Sequence, residues 1–460
     1  MYLNSLLNCG FKGKIYPINP KAGEIFGLKV YANIKNIPEP VDYVICCTPV
    51  SFATQLMRDC IAKKVKVVHF FTSGFGETGT EEGKQLEQEI SSLARRNGIR
   101  IIGPNCMGIY CPETGLSFAP DFVKESGSVA LICQSGGNSM HLVREGVRRG
   151  IKFSKVISYG NACDIDECDL LEYLAADQDT ELIAAYIEGV KDGKRFSQLL
   201  KEVARVKPVI VLKGGVGEAG ARAAASHTGV LAGSNEVWDG LLHQAGAIRV
   251  HSLEELVDMA VTFAYFPLPL SKRTAVLGVG GGATVLATDD CTNAGLEVPR
   301  PPPEVQSKLK SYVKRAGVGL SLINPVDLSA QGREPDVFYN CSKVLLEHEG
   351  IDLLLIQLPF DIPIIPSSTA KTHGLMLPTK EAGWDIIIKS IIKIHKESDK
   401  PIAVVIHSIT YSESYQDMLN YERMCYEAGL PVYHSLTNAS KAIVRFIDYH
   451  KRRARMQGLI

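Results

Sequence analysis

The apolar runs Lys14–Ile18, Tyr43–Cys47, Val65–Phe71 and Arg100–Ile102 are each stopped by a turn of small or polar residues. Stretches of helical spacing lie between them, from Phe52 to about Lys63 and from Thr80 to Arg96. Alternation at this short spacing calls for a parallel sheet with helices on both faces, because each helix returns the chain for the next parallel strand. Ahead of the first run, residues 2–10 carry an apolar helical stripe that stops at Gly10, so the chain opens on a helix. Ligands of such sheets bind beyond the carboxyl ends of the strands. Here those ends are Asn19-Pro20-Lys21, Thr48-Pro49-Val50, Thr72-Ser73-Gly74-Phe75-Gly76-Glu77 and Gly103-Pro104-Asn105-Cys106-Met107-Gly108.

A second unit begins near Gly127. Strand Val129–Cys133 runs into Gln134-Ser135-Gly136-Gly137-Asn138 and a helix reaching about Arg149. Strands are expected at Lys155–Tyr159, Leu182–Glu188 and Val209–Leu212, and helices at Ile165–Ala176, Arg195–Val206 and Leu253–Tyr265. After the linker 266–270, Arg273–Thr284 repeats the strand, Gly-Gly turn and helix start of the second unit, without a counterpart of Ser135. Asn324-Pro325-Val326-Asp327 reads as a turn, Ile351–Leu358 and Ile402–His407 as central strands, and 359–380 as an irregular insertion of no legible role. The 460 residues divide into domains 1–124, 125–268 and 269–460.

Lys+Arg and Asp+Glu both number 50, so no global field draws this surface to nucleic acid or an anionic membrane. The basic stretch His450–Arg455 is a solvated helix end. The 12 cysteines are scattered rather than set in a disulfide framework. Cys163 and Cys168 bracket an acidic segment but lack a second ligand pair, so no metal is expected. No apolar run is long enough to span a bilayer and no signal sequence opens the chain, which reads as a cytoplasmic protein with reduced thiols.

The stretch Pro208–Ala232 carries the chemistry. The strand Pro208–Leu212 passes through Lys213-Gly214-Gly215 into a run of Gly, Ala and Ser that holds one histidine, His227. Such a run is either a functional loop or an Ala-rich helix, 218–226, that stops near Gly229 with His227 in its last turn. Glu188, at the end of its strand, and the Ser135-Gly136-Gly137 turn are expected on the same sheet edge. A neutral imidazole is a nucleophile, and a carboxylate that accepts its other N–H fixes the tautomer and stabilises the developing charge. The helix start at Ser135, Gly136 and Gly137 supplies N–H donors suited to phosphoryl oxygens. Together these residues favour a phosphoryl-carrying histidine, although a Gly-Gly turn alone serves tight packing equally well.

The order of Gly103-Pro104-Asn105-Cys106-Met107-Gly108, Gln134-Ser135-Gly136, Tyr159-Gly160-Asn161, Tyr186-Ile187-Glu188-Gly189 and Ser226-His227-Thr228-Gly229 resembles the alpha subunit of ADP-forming acyl-CoA synthetases, in the succinyl-CoA synthetase superfamily. The resemblance implies an α/β fold: an N-terminal Rossmann-like CoA-binding domain, then two flavodoxin-like domains, all with mostly parallel sheets. It implies that acyl-CoA and phosphate give acyl phosphate and CoA, that the phosphoryl group passes to His227, and that phosphohistidine phosphorylates ADP. Glu188 would orient His227. Ser135, Gly136 and Gly137 would hold phosphate with Asn161 beside them, and Asn19, Lys21, Pro49, Ser73, Gly74, Asn105 and Cys106 would line the CoA groove. Coenzyme A is then a substrate, and ADP or ATP with Mg is handled by an ATP-grasp beta subunit in a heterotetramer.

Two features depart from the family pattern. Gly137-Asn138 stands where a small apolar pair is usual, which alters the expected acyl pocket. The strand and Gly-rich turn that usually precede the opening helix are missing, so a poorer CoA phosphate site and a weaker first unit are expected. Two other readings compete. An NAD-dependent oxidoreductase is opposed by the lack of any Gly-x-Gly-x-x-Gly between strand and helix. A non-catalytic CoA-binding regulatory or scaffold subunit is favoured by the missing first strand and opposed by the intact His227 and Glu188.

Overall fold

The computed structural model describes residues 1–21, 23–220, 222, 234–313, 320–358, 384–407 and 412–456. The chain forms two compact units, one of residues 1–147 and 151–257, the other of 148–150 and 258–460.

Besides a short antiparallel pair, Glu24–Ile25 with Leu28–Lys29, the first unit holds two sheets. In the smaller, β1 (Tyr43–Cys46), β2 (Val67–Phe70) and β3 (Arg100–Ile102) run parallel in that order. Met57, Phe70, Phe75, Ile90 and Ile101 form its core between the sheet and the helices Ala53–Lys63 and Glu81–Arg96. The opening helix, Tyr2–Cys9, ends at Gly10 in the left-handed conformation, and the Tyr2 hydroxyl donates to the Met107 carbonyl at 2.9 Å. The expected strand Lys14–Ile18 does not form. Only Ile18 bridges Tyr31, because Pro17 and Pro20 offer no backbone N–H to a ladder.

The larger sheet comprises β4 (Gly108–Tyr110), β5 (Val129–Cys133), β6 (Phe153–Ser158), β7 (Leu182–Ile187), β8 (Val209–Lys213) and β9 (Ile248–Val250). Its order is β9-β8-β7-β5-β6-β4, with β4 antiparallel and the rest parallel. From β5 the chain goes out to β6 on one side and then crosses to β7 on the other. The carboxyl ends of β5 and β7 are therefore a topological switch point, the place where open α/β sheets bind ligands. One core of this sheet contains Phe196, Leu200, Trp238 and Leu242, on the helices Gly193–Val206 and Asn235–Ala245.

Residues 161–165, which follow β6, run alongside the end of β3 and are hydrogen-bonded to it. The N–H groups of Asn161, Cys163 and Ile165 donate to the carbonyls of Pro104, Gly103 and Ile101 at 3.0, 3.0 and 3.1 Å. Asp164 in return accepts the Ile101 N–H at 2.7 Å and pairs with Arg100 at 2.9 Å. Gly160, at φ +55°, permits this approach, since a Cβ there would stand 2.2 Å from the Pro104 oxygen.

The second unit contains a five-stranded parallel sheet, β10 (Thr274–Gly278), β11 (Val326–Asp327), β12 (Leu353–Leu358), β13 (Ile402–Ile406) and β14 (Val432–Tyr433), in the order β11-β10-β12-β13-β14. β10 followed by the helix Gly281–Ala294 reproduces β5 followed by the helix Gly136–Arg148. The expected turn at Asn324–Asp327 is instead partly a strand: Asn324 donates to the carbonyls of Thr274 and Pro299, and so feeds β11 onto β10. Also within this unit, Arg149 is fully buried, paired with Asp258 at 2.7 Å and donating to the Val432 carbonyl at 2.7 Å. The insertion 359–380 lies outside the described residues.

Candidate active site

Three adjacent strands of the larger sheet end together. In register, Cys133 of β5 pairs with Tyr186 of β7, and Ile187 of β7 pairs with Lys213 of β8. The segments that leave these ends start with Gln134, Glu188 and Gly214, so the Ser135 turn, Glu188 and the root of the 214–233 stretch meet at one edge. His227 itself lies outside the described residues, as do residues 223–233 around it.

Ser135 behaves as a helix cap. Its Oγ accepts the Asn138 N–H at 3.3 Å and its carbonyl accepts the Ser139 N–H at 3.0 Å. Gly136 and Gly137 open the helix Gly136–Arg148, where first-turn N–H groups carry the positive end of the helix dipole. Gly137 is exposed, with no atom within 4 Å of a Cβ built on it.

Glu188 is held on all sides. The Gln134 side-chain oxygen accepts the backbone N–H of Glu188 at 2.7 Å and that of Gly189 at 3.3 Å. The Tyr186 hydroxyl donates to the Glu188 carboxylate at 3.2 Å, two residues back on the same face of β7. Burial and then the neighbouring Glu188 charge push the Tyr186 pKa up, so the phenol stays a donor. The buried Lys213 ammonium donates to the Glu188 carbonyl at 2.7 Å and to the Gly214 carbonyl, and lies 5.4 Å over the Trp238 ring. Burial lowers the Lys213 pKa to about 8 against the opposing pull of Glu188. Gly214 leaves room for this assembly, because a Cβ there would be 2.6 Å from the Tyr186 hydroxyl.

The ends of the smaller sheet gather as well. Thr72 donates to the Thr48 carbonyl at 2.7 Å and accepts the Asn105 N–H at its own carbonyl at 3.1 Å. A Cβ on Gly74 would lie 3.2 Å from Val50. Pro49, Ser73, Gly74 and Asn105 thus share one edge. Asn19 and Lys21 are exposed and close on each other, the Lys21 N–H donating to Asn19 Oδ1 at 2.9 Å. Cys106 follows Asn105 in the same turn. Its side chain is buried, with the thiol at 3.9 Å from the Phe70 carbonyl and its pKa raised by burial, while its own carbonyl meets buried His69 at 3.1 Å.

Asn161 is bonded to side chains that follow β2 of the smaller sheet. Its amide nitrogen donates to Glu77 Oε2 at 2.5 Å and Glu87 Oε2 at 2.8 Å, which uses both amide hydrogens on carboxylates of the smaller-sheet domain. Nearby, Asp166, Glu167 and Cys168 bring three candidate ligand atoms within 4.8 Å of one another. There the Asp166 carboxylate already serves as an N-cap, accepting the Cys168 and Asp169 N–H groups at 2.9 and 3.0 Å.

Sequence reasoning assigned no role to Gln134, Tyr186, Lys213, Glu77 or Glu87. For two of them a signal was present: Lys213 is a cation ending an apolar strand, and Tyr186 shares a strand face with Glu188.

Comparison with known proteins agrees with this layout. Residues 2–112 match the CoA binding domain family and residues 126–263 the succinyl-CoA ligase like flavodoxin domain family. The Pyrococcus furiosus protein named acetate–CoA ligase [ADP-forming] II subunit alpha is 36% identical over 439 residues, 95% of this chain and 90% of that one. Subunit alpha of isoenzyme I from the same organism is 36% identical over 98% of this chain and 93% of its own. The dinucleotide-forming acetyl-coenzyme A synthetase 1 of Ca. Korarchaeum cryptofilum, solved with phosphate and ADP, superposes with a TM-score of 0.80 at 31% identity, covering 100% of this chain and 94% of that one.

Proposed function

Since this chain belongs to the family of ADP-forming acetate–CoA ligase alpha subunits, we propose that it interconverts acyl-CoA, phosphate and ADP with carboxylic acid, CoA and ATP by way of a phosphohistidine at His227. The observation that carries this reading is the meeting of the Ser135 turn, the braced Glu188 and the root of the His227 stretch at the β5–β7 switch point.

Phosphate sits at the helix start, where Ser135, Gly136 and Gly137 offer the donors. A phosphate oxygen attacks the thioester carbonyl, the C–S bond breaks, and CoA leaves as the acyl phosphate forms. A ring nitrogen of His227 attacks phosphorus, the P–O bond to the acyl group breaks, and the carboxylate departs. Glu188 accepts the other ring N–H, which keeps the attacking nitrogen unprotonated and balances the charge on the phosphoimidazole. A terminal oxygen of ADP then takes the phosphoryl group as the N–P bond breaks. The CoA groove is lined by Asn19, Lys21, Pro49, Ser73, Gly74 and Asn105, with Cys106 contributing main chain only.

The relatives are named as alpha subunits, which implies a partner subunit. We assign that partner as an ATP-grasp beta subunit that carries ADP, ATP and Mg, assembled with this chain as a heterotetramer. Cytoplasmic placement is supported by the 12 free cysteines.

Incubation with acetyl-CoA and labelled phosphate tests the proposal. An acid-labile label is expected on the chain and is lost in His227→Ala. A label that survives in that variant overturns the assignment, and no label in the native chain favours a non-catalytic CoA-binding subunit.

A further inference from the structure

The loop Ser73–Gly79, after β2, aims consecutive backbone N–H groups at two of the protein's own carboxylates. Gly74 donates to Glu77 Oε1 at 2.6 Å, Phe75 to Glu77 Oε2 at 3.2 Å and Gly76 to Glu87 Oε2 at 3.1 Å. Successive N–H groups of this kind form an anion-binding concavity, and here side chains fill it. Two carboxylates brought this close repel each other unless something bridges them. The bridge is Asn161, whose amide donates to both at 2.5 and 2.8 Å.

Asn161 is itself fixed. Its N–H donates to the Pro104 carbonyl at 3.0 Å, and its carbonyl accepts Lys191 Nζ at 3.0 Å, the same ammonium that reaches the Ala162 carbonyl at 2.7 Å. It is buried, and the next residue, Ala162, is held at φ +53°, a left-handed conformation that non-glycine residues adopt at a cost. The segment that follows β6 of the larger sheet therefore holds the 73–79 loop of the smaller one through a single side-chain amide.

The geometry points to Asn161 as a positioning residue for coenzyme A rather than a ligand of phosphate: with Glu77 and Glu87 it latches the 73–79 loop in the shape that presents Ser73 and Gly74 to the CoA groove. This inference rests on the reading that Ser73 and Gly74 line that groove. A filled concavity also means that the N–H groups of Gly74, Phe75 and Gly76 are not the donors for a CoA phosphate while the latch is closed.

Asn161→Asp keeps the shape, removes both donors and adds a third carboxylate. In the full chain, hydrogen–deuterium exchange at residues 74–76 is expected to quicken, and the Kd for CoA measured by calorimetry to rise about tenfold, the size of one lost charge-assisted contact. The Kd for inorganic phosphate is expected to stay unchanged. Glu87→Gln placed on Asn161→Asp restores a donor–acceptor pair and is expected to recover slow exchange, which separates the latch from general damage to the fold. Unchanged exchange at 74–76 in Asn161→Asp overturns the latch, and so does a weakened phosphate Kd with CoA binding intact. Faster exchange with an unchanged CoA Kd confirms the latch and overturns the placement of Ser73 and Gly74 in the groove.

Discussion

The side-chain oxygen of Gln134 accepts the backbone N–H of Glu188 at 2.7 Å, and this bond ties the turn that opens the helix Gly136–Arg148 to the carboxylate at the end of β7. It spans 54 residues of sequence and joins neighbouring strand ends. Gln134→Ala strands the N–H groups of both Glu188 and Gly189, at a cost of about 1–3 kcal/mol for each one left without water. The expected outcome is a lower melting temperature together with slower labelling of His227. A variant with native melting and native labelling would remove Gln134 from the positioning machinery.

Glu188→Gln preserves the shape of the side chain and its main-chain contacts while removing the charge. Labelling of His227 from acetyl-CoA and phosphate is expected to slow by about two or more orders of magnitude, as for other carboxylates that orient histidines. Rapid-quench measurement of the labelled chain checks this. Native kinetics would leave Glu188 a structural role only.

Glu167 gives a pH signature. It is buried, its Oε1 has no hydrogen-bond partner, and burial lifts its pKa from 4.5 to about 7. Between those values the folded chain holds a proton that the unfolded chain has released, so this group's contribution to stability falls as pH rises from 4.5 toward 7. Glu167→Gln cannot titrate. The melting temperature of Glu167→Gln relative to native is expected to increase from pH 5 to pH 7 and then level off, and a difference independent of pH would refute the assignment.

Arg149 and Asp258 test the second unit. Both are buried and 2.7 Å apart. Removing one partner leaves an uncompensated buried charge, so Asp258→Asn is expected to destabilise by about 3–5 kcal/mol in denaturant titration. Arg149→Met combined with Asp258→Leu is expected to be milder than either single change, because it removes both charges together.

The proposed division of labour places ATP formation on the partner subunit. The purified chain, given phosphohistidine and ADP without that subunit, is expected to form no ATP, and adding the ATP-grasp subunit is expected to restore it. Synthesis by the single chain, free of any partner, would contradict the proposed division of labour.

Sequence alone exposed the parts of this architecture that depend on local pattern. The apolar runs of β5, β7, β8, β10, β12 and β13 are fully or nearly fully buried strands, as continuous hydrophobic stretches in a parallel sheet must be. Glu188 was legible as a strand-end carboxylate because β7 stops one residue earlier, at Ile187. The latch was not legible. Asn161 meets Glu77 and Glu87 across 84 and 74 residues, and no periodicity encodes a contact between loops of two domains. The absent strand at Lys14–Ile18 shows the opposite limit, where an apolar run looked right but two prolines denied it the ladder.

The backbone bonds from residues 161–165 onto residues 101–104 make the CoA-binding module an incomplete object when taken alone. A fragment cut near residue 124 would keep every strand of its own sheet yet expose the carbonyls of Ile101, Gly103 and Pro104 along a bare edge. Such an edge recruits whatever strand is nearest, including the same edge of another copy. Dissecting this protein by family boundaries therefore invites oligomers, and a soluble excised module would have to carry the 161–165 segment with it.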